Sequence, residues 1–450
     1  MSVRTVEPGR ETGEEWRPIT RILVRFGVVY FGLFALLSQV ILEFPGLGSW
    51  WGPVAVKWPQ PVVEWVGRAV FDTAVVYRDS GSGDTAYDWV LVFCVLVSAV
   101  IVTAVWSVLD GGRSENRAAA GWLLVFLRVC LAGTMLSYGF VKAFQLQMPS
   151  PSLTRLLEPF GDLPRMGVLW SQVGVSPVYE SLLGFAEILC GVLLLVPRTA
   201  VAGALLTVVS AAQVWVLNMT YDVPVKILSF HVLLMALVLV APETGRIAAV
   251  LLGKATGPST APNPFRNPDK QRVLGRIQVA LLVWLLVAGV VNGVTAWQQR
   301  APRSELYGIW EVTSFIRDGK SVPALLGDET RWRRVVFDRR DTMDIQTMDD
   351  RFQPALAEIN AAAPQLMLHS WNVSGSAAPW ASFVVERPAP NRLRFDGELD
   401  GHSVTVELIR YEEDRFTLRQ SGFHWITEYP RNSCVWHRPA CPTRSGSAAR

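Results

Sequence analysis

The sequence predicts an α-helical integral membrane bundle of about seven spans, followed by a C-terminal all-β barrel. Three observations carry this expectation. Half of the 450 residues are hydrophobic and only 18% are charged, against about 25% charge in soluble domains. Apolar runs of roughly 20 residues, enough to cross the hydrocarbon core, recur as far as residue 297. From about residue 301 the apolar residues shorten into runs of period two, the mark of half-buried strands. The same composition argues against disorder, which needs high net charge and low hydrophobicity. A net charge of +3 on this length gives no footprint for nucleic acid, and five cysteines are too few for a disulfide scaffold.

The N-terminal tail, 1–19, reads as disordered and inner. Residues 20–119 hold two spans, 22–42 and 88–109, joined by a Trp-rich outer loop. The first run is long for a signal core and lacks a small-x-small cleavage pattern after it, so it reads as a retained span. Trp-rich residues 50–65 suit the outer interface. The stretch SGSGDTAYD (80–88) suits either a turn into span two or exposed N–H groups that hold a ligand. Four spans follow within 120–242, at 120–142, 176–196, 199–219 and 225–241. Residues 243–272 make an inner amphipathic segment and a Pro- and Gly-rich linker, and 273–297 is the seventh span. With the N-terminus inside, the inner segments carry about 13 Lys and Arg against 7 outside, which is the positive-inside bias. Seven spans then put the C-terminal domain outside. The expected location is the cell (inner) membrane of a bacterium.

The β domain covers 301–437, with a flexible tail at 438–450. About eight short strands fit, as in SVTVELI (403–409) and RFTLRQS (415–421), with turn signals at Asp318-Gly319, Pro390-Asn391 and Asp400-Gly401. A closed up-and-down barrel or a tight sandwich would remove the free edges. Its first strand contains Gly308-x-Trp310, which resembles the lipocalin signature, in which the Trp packs across the barrel floor. The resemblance implies a lipocalin-like barrel, either with an apolar cavity or filled by its own side chains. His424, in the closing cluster GFHWITEYP (422–430), is either a satisfied strand histidine or a site residue. Cys434 and Cys441 are either a local disulfide or two unpaired thiols.

Ionisable side chains at membrane depth usually face a bundle interior or a cavity. Arg128 falls on one face of span three with Ala132, Met135, Gly139 and Lys142. Glu187 falls on one face of span four with Glu180, Gly184 and Gly191. Counting rise from the span ends puts Arg128 and Glu187 within roughly 4 Å in depth, so they are expected to pair. The glycines would let the two helices approach closely. Gln213 and His231 add polar groups in spans five and six, and Asn218, Tyr221, Asp222 and Lys226 crowd the outer ends. The expected result is a polar pocket between spans three to six. The Arg128–Glu187 pair serves there either as a structural clasp or directly in ligand binding or proton transfer.

These residues carry a second resemblance. Arg128, then Gly139-Phe-Val-Lys142, then Glu187-Ile-Leu-Cys-Gly191 followed by Val and three Leu, resemble the pattern of the four-helix DoxX-like membrane family over about 120–242. Several members of that family are associated with membrane redox chemistry, including quinone-linked sulfur oxidation. The resemblance implies a redox-associated subunit. The sequence offers no C-x-x-C pair, dinucleotide fingerprint or metal-ligand cluster, and a single membrane histidine. Cys94, Cys130 and Cys190 sit singly in spans. A redox role would therefore rest on a bound carrier such as quinone, or on a membrane or extracytoplasmic redox partner. The alternative, from another class, is a non-catalytic binding or scaffold protein whose spans anchor the barrel in the lipid bilayer.

Overall fold

The computed structural model describes residues 16–38, 40, 44–110, 116–300, 302–360, 365–370, 379–420, 422 and 425–426. His424, Cys434, Cys441 and both expected flexible tails, apart from a few residues near the first helix, lie outside them. The chain divides into two compact units, one of residues 1–150 and 160–300, the other of 151–159 and 301–450.

The first unit contains seven helices long and apolar enough to cross a membrane, so the chain is an integral membrane protein. They are Pro18–Leu37, Ala86–Leu109, Arg117–Ala143, Pro177–Leu195, Ala200–Thr220, Lys226–Leu251 and Pro268–Gln298. Span one starts and ends earlier than the 22–42 expected. Pro18 at its first turn is preorganised for a helix start, and the extended backbone of Ser38 ends it. Span three is the most enclosed, with 67% of its most apolar window buried, against 22% in span two and 17% in span seven. Span two therefore shows Val100, Ile101 and Val105 to the acyl chains, and span seven shows Val283 and Val287. Span six is α-helical to Val240, then passes through a 3₁₀ turn at Ala241–Glu243 into Thr244–Leu251. That last piece buries none of its residues, as suits the expected amphipathic segment.

The 44–87 loop folds into two helices, Leu47–Lys57 and Gln60–Phe71, which leave Trp50, Trp58 and Trp65 exposed. Amphipathic indoles of this kind suit the membrane–water boundary. The 80–88 stretch runs as a series of bends into span two, and its residues 80–83 also line a cavity of about 180 Å³. Thr85 and Asp88 form a capping box for span two. The Asp84 carboxylate accepts from the backbone N–H of Lys226 (2.7 Å) and Ile227 (2.9 Å), which caps the start of span six.

The second unit is a closed antiparallel barrel. Its strands are β1 (Arg303–Arg317), β2 (Lys320–Ser321), β3 (Trp332–Arg339), β4 (Thr342–Thr347), β5 (Phe352–Asn360), β6 (Gln365–Ser370), β7 (Ala381–Ala389), β8 (Arg392–Leu399) and β9 (His402–Tyr411). Each long strand pairs with its neighbour in the chain, and β1 also pairs with β9, so eight strands close the cylinder while the short β2 hangs on the end of β1. Closure is possible because β1 is 15 residues long. Its first part pairs with β3 and its later part with β9, with register shifts in both ladders. All three expected turns fall between strands. Asp318-Gly319 and Asp400-Gly401 have positive φ at both residues, as a two-residue hairpin turn requires.

RFTLRQS does not form the strand expected of it. The chain leaves the barrel at Tyr411 and makes a 3₁₀ turn at Glu413–Arg415 and a short helix at Thr417–Gln420. Phe416 packs on Tyr411, and Arg419 pairs with Glu413. With β1 already paired on both sides, no edge remained for another strand.

The barrel interior is filled. Trp310, Phe315, Phe337, Phe383 and Phe395 are all under 2% exposed, and ring contacts link Phe315, Trp332, Phe383, Phe395 and Phe337 in one chain. Trp310 Nε1 donates to the Leu306 carbonyl (2.8 Å), which satisfies the buried indole. Gly308 has φ +140, a conformation that favours glycine, and a Cβ there would lie in ordinary contact, 3.4 Å, with Arg410 Nε. On the outer face, Ile309 and Val336 pack against Leu153 from the helix Leu153–Leu157.

Several barrel carboxylates are held below their ordinary range by hydrogen bonds. Asp318 is held by His402, Asp328 by the Thr330 backbone and hydroxyl, and Asp349 by the Thr347 hydroxyl. Such groups contribute stability above the unfolded carboxylate pKa, and that stability is lost as pH falls through the folded value. Asp344 has the opposite sign, because burial raises it. Asp396, held down by the Arg394 guanidinium and the Thr405 hydroxyl, adds a fourth group of the first sign, so the barrel should melt at lower temperature as pH drops from about 5 toward 3. Near-ultraviolet circular dichroism of its buried aromatic residues reads this, and Asp318→Asn should flatten the dependence. A barrel that gains stability over that range would contradict the assignment.

Candidate functional site in the membrane bundle

The site grows from one close helix contact. Spans three and four cross at Gly139 and Gly184. A Cβ built on Gly184 would lie 2.4 Å from the Ala143 backbone nitrogen, so the two backbones touch with no side chain between them. That contact, not the span ends, sets the register. Glu187 is level with residues 138–139, and Lys142, one turn further along the same face, reaches it. Lys142 Nζ lies 2.7 Å from Oε1 and 2.6 Å from Oε2 of Glu187. Both side chains are 8% exposed. Tyr138, four residues before Lys142, puts its ring 5.6 Å from the ammonium.

The expected Arg128–Glu187 pair is therefore corrected to Lys142–Glu187. Arg128 sits about ten residues, roughly 15 Å, from the level of Glu187. The depth count failed because it placed the ends of both spans in one plane, whereas span three has 27 residues and span four has 19. The two stripes do face inward. Ala132, Met135, Gly139 and Lys142 are buried, and so are Glu180, Gly184, Glu187 and Gly191.

Beside the ion pair is a cavity of about 490 Å³ between spans three to six. Gln213, Asn218 and Tyr221 line it as expected, together with Lys142 and Glu187. Asp222, Lys226 and His231 do not. Lys226 is committed to ion pairs with Asp222 (2.8 Å) and Asp84 (3.7 Å), and that bond holds the exposed Asp222 carboxyl below its usual range. His231 faces span one. Its Nδ1 can only donate to the Ile227 carbonyl (2.7 Å), so its Nε2 accepts from the Tyr30 hydroxyl (2.7 Å). The Phe34 ring stacks on it at 3.7 Å between centroids. It is a satisfied core histidine that fastens span one to span six.

Three of the aromatic lining residues were not anticipated: Tyr138, Trp170 and Tyr179. Tyr138 was detectable, since it shares the helix face of Lys142 at i−4. Trp170 belongs to a short helix, Arg165–Gly174, in a stretch with no span-length signal. It is fixed by donating from Nε1 to the Gln147 carbonyl (2.9 Å). Met148, Leu169, Val173 and Val223 pack together beside it. Glu180 is fully buried and accepts from the Met148 N–H (2.8 Å), which holds the 147–148 turn. The arrangement is a mostly apolar chamber with a charge pair on one wall and amide and hydroxyl groups on the others. Such a chamber suits an amphipathic molecule with a polar head.

Comparison with known proteins adds little identity. No family model matches the chain, and no solved structure matches it. The chain is 40% identical over 72 residues to an uncharacterized protein, YwoB, of Bacillus subtilis (strain 168). That match covers 16% of this chain and 47% of the relative, so it spans about half of the relative's length.

Proposed function

We propose that this membrane protein binds a lipophilic carrier of the quinone class in the cavity between spans three to six. The observation that carries the reading is the Lys142–Glu187 pair on the wall of a 490 Å³ chamber. Both carboxylate oxygens face the ammonium, which leaves Lys142 a further N–H to donate to a ligand carbonyl. Glu187 can accept from a ligand hydroxyl, and the Tyr138, Trp170 and Tyr179 rings offer flat apolar surface to a ring system. The DoxX-like resemblance of the same residues points the same way. The protein's part is to bind and orient the carrier, while the electrons come from a membrane or extracytoplasmic redox partner. The charge bias of the loops supports an N-terminus in the cytoplasm of a bacterium and a barrel outside the inner membrane. The filled barrel weighs against the alternative in which the barrel itself takes up the apolar ligand.

The test is to purify the full chain in mild detergent and analyse the co-extracted lipid by liquid chromatography and mass spectrometry. Wild type should retain quinone, and Glu187→Gln and Tyr138→Ala should retain at least tenfold less. A wild type without quinone, or variants that retain as much, would remove the reading.

A further inference from the structure

Arg128 has a different environment from the pair it was expected to join. Among the described residues it makes no hydrogen bond or ion pair. The acid whose charge reaches it is Glu243. That carboxylate is already bonded by Arg246 and the Ser259 hydroxyl. Arg128 instead lines a separate cavity of about 70 Å³, walled by Gln271 and Gln278 of span seven and by Asn263 of the preceding loop. The loop backbone is pressed onto span three here. A Cβ on Gly121 would lie 2.3 Å from the Pro264 nitrogen.

The polar groups around this cavity are incompletely satisfied. Gln278 is 4% exposed, and its side chain makes no hydrogen bond among the described residues. Gln271 donates from Nε2 to Asn263 Oδ1 (3.1 Å), but its Oε1 is buried with no partner. A guanidinium and a Gln amide offer N–H donors, and one orphan carbonyl asks for a donor in return. Gln271 Oε1 is fully buried without a partner, and leaving such an acceptor unpaired is unfavourable. The volume is that of roughly two water molecules, enough for one compact polyatomic group. Pro197, in the turn after span four, also lines the cavity. That turn puts the cavity near the ends of spans four and five.

We infer that this is a phosphate-binding site, in which Arg128 and Gln278 hold the phosphate oxygens and Gln271 Oε1 accepts from a hydroxyl on the same ligand. Guanidinium groups bind phosphate with two parallel hydrogen bonds, and basic pockets between membrane helices take up anionic headgroups. Phosphatidylglycerol supplies phosphate and hydroxyl together, and so does free hydrogen phosphate. The inference does not depend on the Lys142 cavity.

The test measures thermal melting of the full chain in detergent, with added short-chain phosphatidylglycerol in one arm and inorganic phosphate in the other. The expected result is a saturable rise in melting temperature for wild type, with a half-saturating concentration at least tenfold higher in Arg128→Gln and intermediate in Arg128→Lys. Saturation by phosphatidylglycerol alone identifies a lipid headgroup, whereas equal saturation by inorganic phosphate identifies the free ion. Gln278→Leu removes a donor without removing charge. It serves if Arg128→Gln does not fold, with retained phospholipid per chain counted by native mass spectrometry. Equal shifts in wild type and variants, or no shift in either arm, would overturn the inference.

Discussion

Lys142→Met is expected to destabilise the bundle by about 3–5 kcal/mol, the cost of removing one partner from a buried ion pair. Lys142 and Glu187 are each 8% exposed in their side chains, so the stranded carboxylate meets only such water as the adjoining cavity holds. Glu187→Gln should cost less, because an amide can still accept from the ammonium. The double variant Lys142→Met/Glu187→Gln should recover much of the loss, since neither charge is then stranded. Unfolding in a titration of dodecyl sulfate into mild detergent reads all three. The decisive quantity is the coupling energy of the cycle. Additive losses would mean that the two side chains do not act as a pair, and the polar wall of the cavity would lose its physical basis. The cycle also separates stability from binding. A double variant that folds but retains no lipophilic carrier assigns the pair to the ligand, beyond its part in holding spans three and four together.

The sequence makes some of this legible and hides the rest for definite reasons. Spans are visible because bilayer thickness imposes a minimum apolar length on each one. The hairpins at Asp318-Gly319 and Asp400-Gly401 are visible because few residue pairs adopt positive φ twice in succession. The inward faces of spans three and four are visible in helical spacing. Depth is not, because Arg128 and Lys142 share one face and only the register decides which of them meets Glu187. That register comes from the contact of Gly139 with Gly184, which no count from the span ends contains. His231 reads as a pocket residue because its partner, Tyr30, is 201 residues away. RFTLRQS alternates like a strand, yet the closed ladder of β1 with β9 leaves it nothing to pair with. The helix carrying Trp170 is too short for its periodicity to stand out.

The same close contact carries the second large effect. In most helices Gly→Ala is favourable by up to about 1 kcal/mol, because alanine has less backbone freedom to lose. Gly32 in span one should follow that rule, since nothing lies within 4 Å of the position its Cβ would take. Gly184 should reverse it. A methyl there would lie 2.4 Å from the Ala143 nitrogen and 2.5 Å from the Gly139 carbonyl oxygen, and both are backbone atoms that cannot rotate away. The helices must separate, and overpacking of this kind costs about 1–3 kcal/mol, or more where backbone has to move. The methyl of Gly184→Ala therefore loses more in packing than it gains in propensity, and Gly184→Val should lose further. Separation also lifts Glu187, three residues on, away from Lys142. Gly184→Val should therefore weaken carrier retention together with stability, while Gly32→Ala raises stability and leaves retention unchanged. Dodecyl sulfate unfolding and lipid analysis of the same preparations test both. Equal behaviour of the two glycines would show that the backbone contact of spans three and four does not set the register of the ion pair.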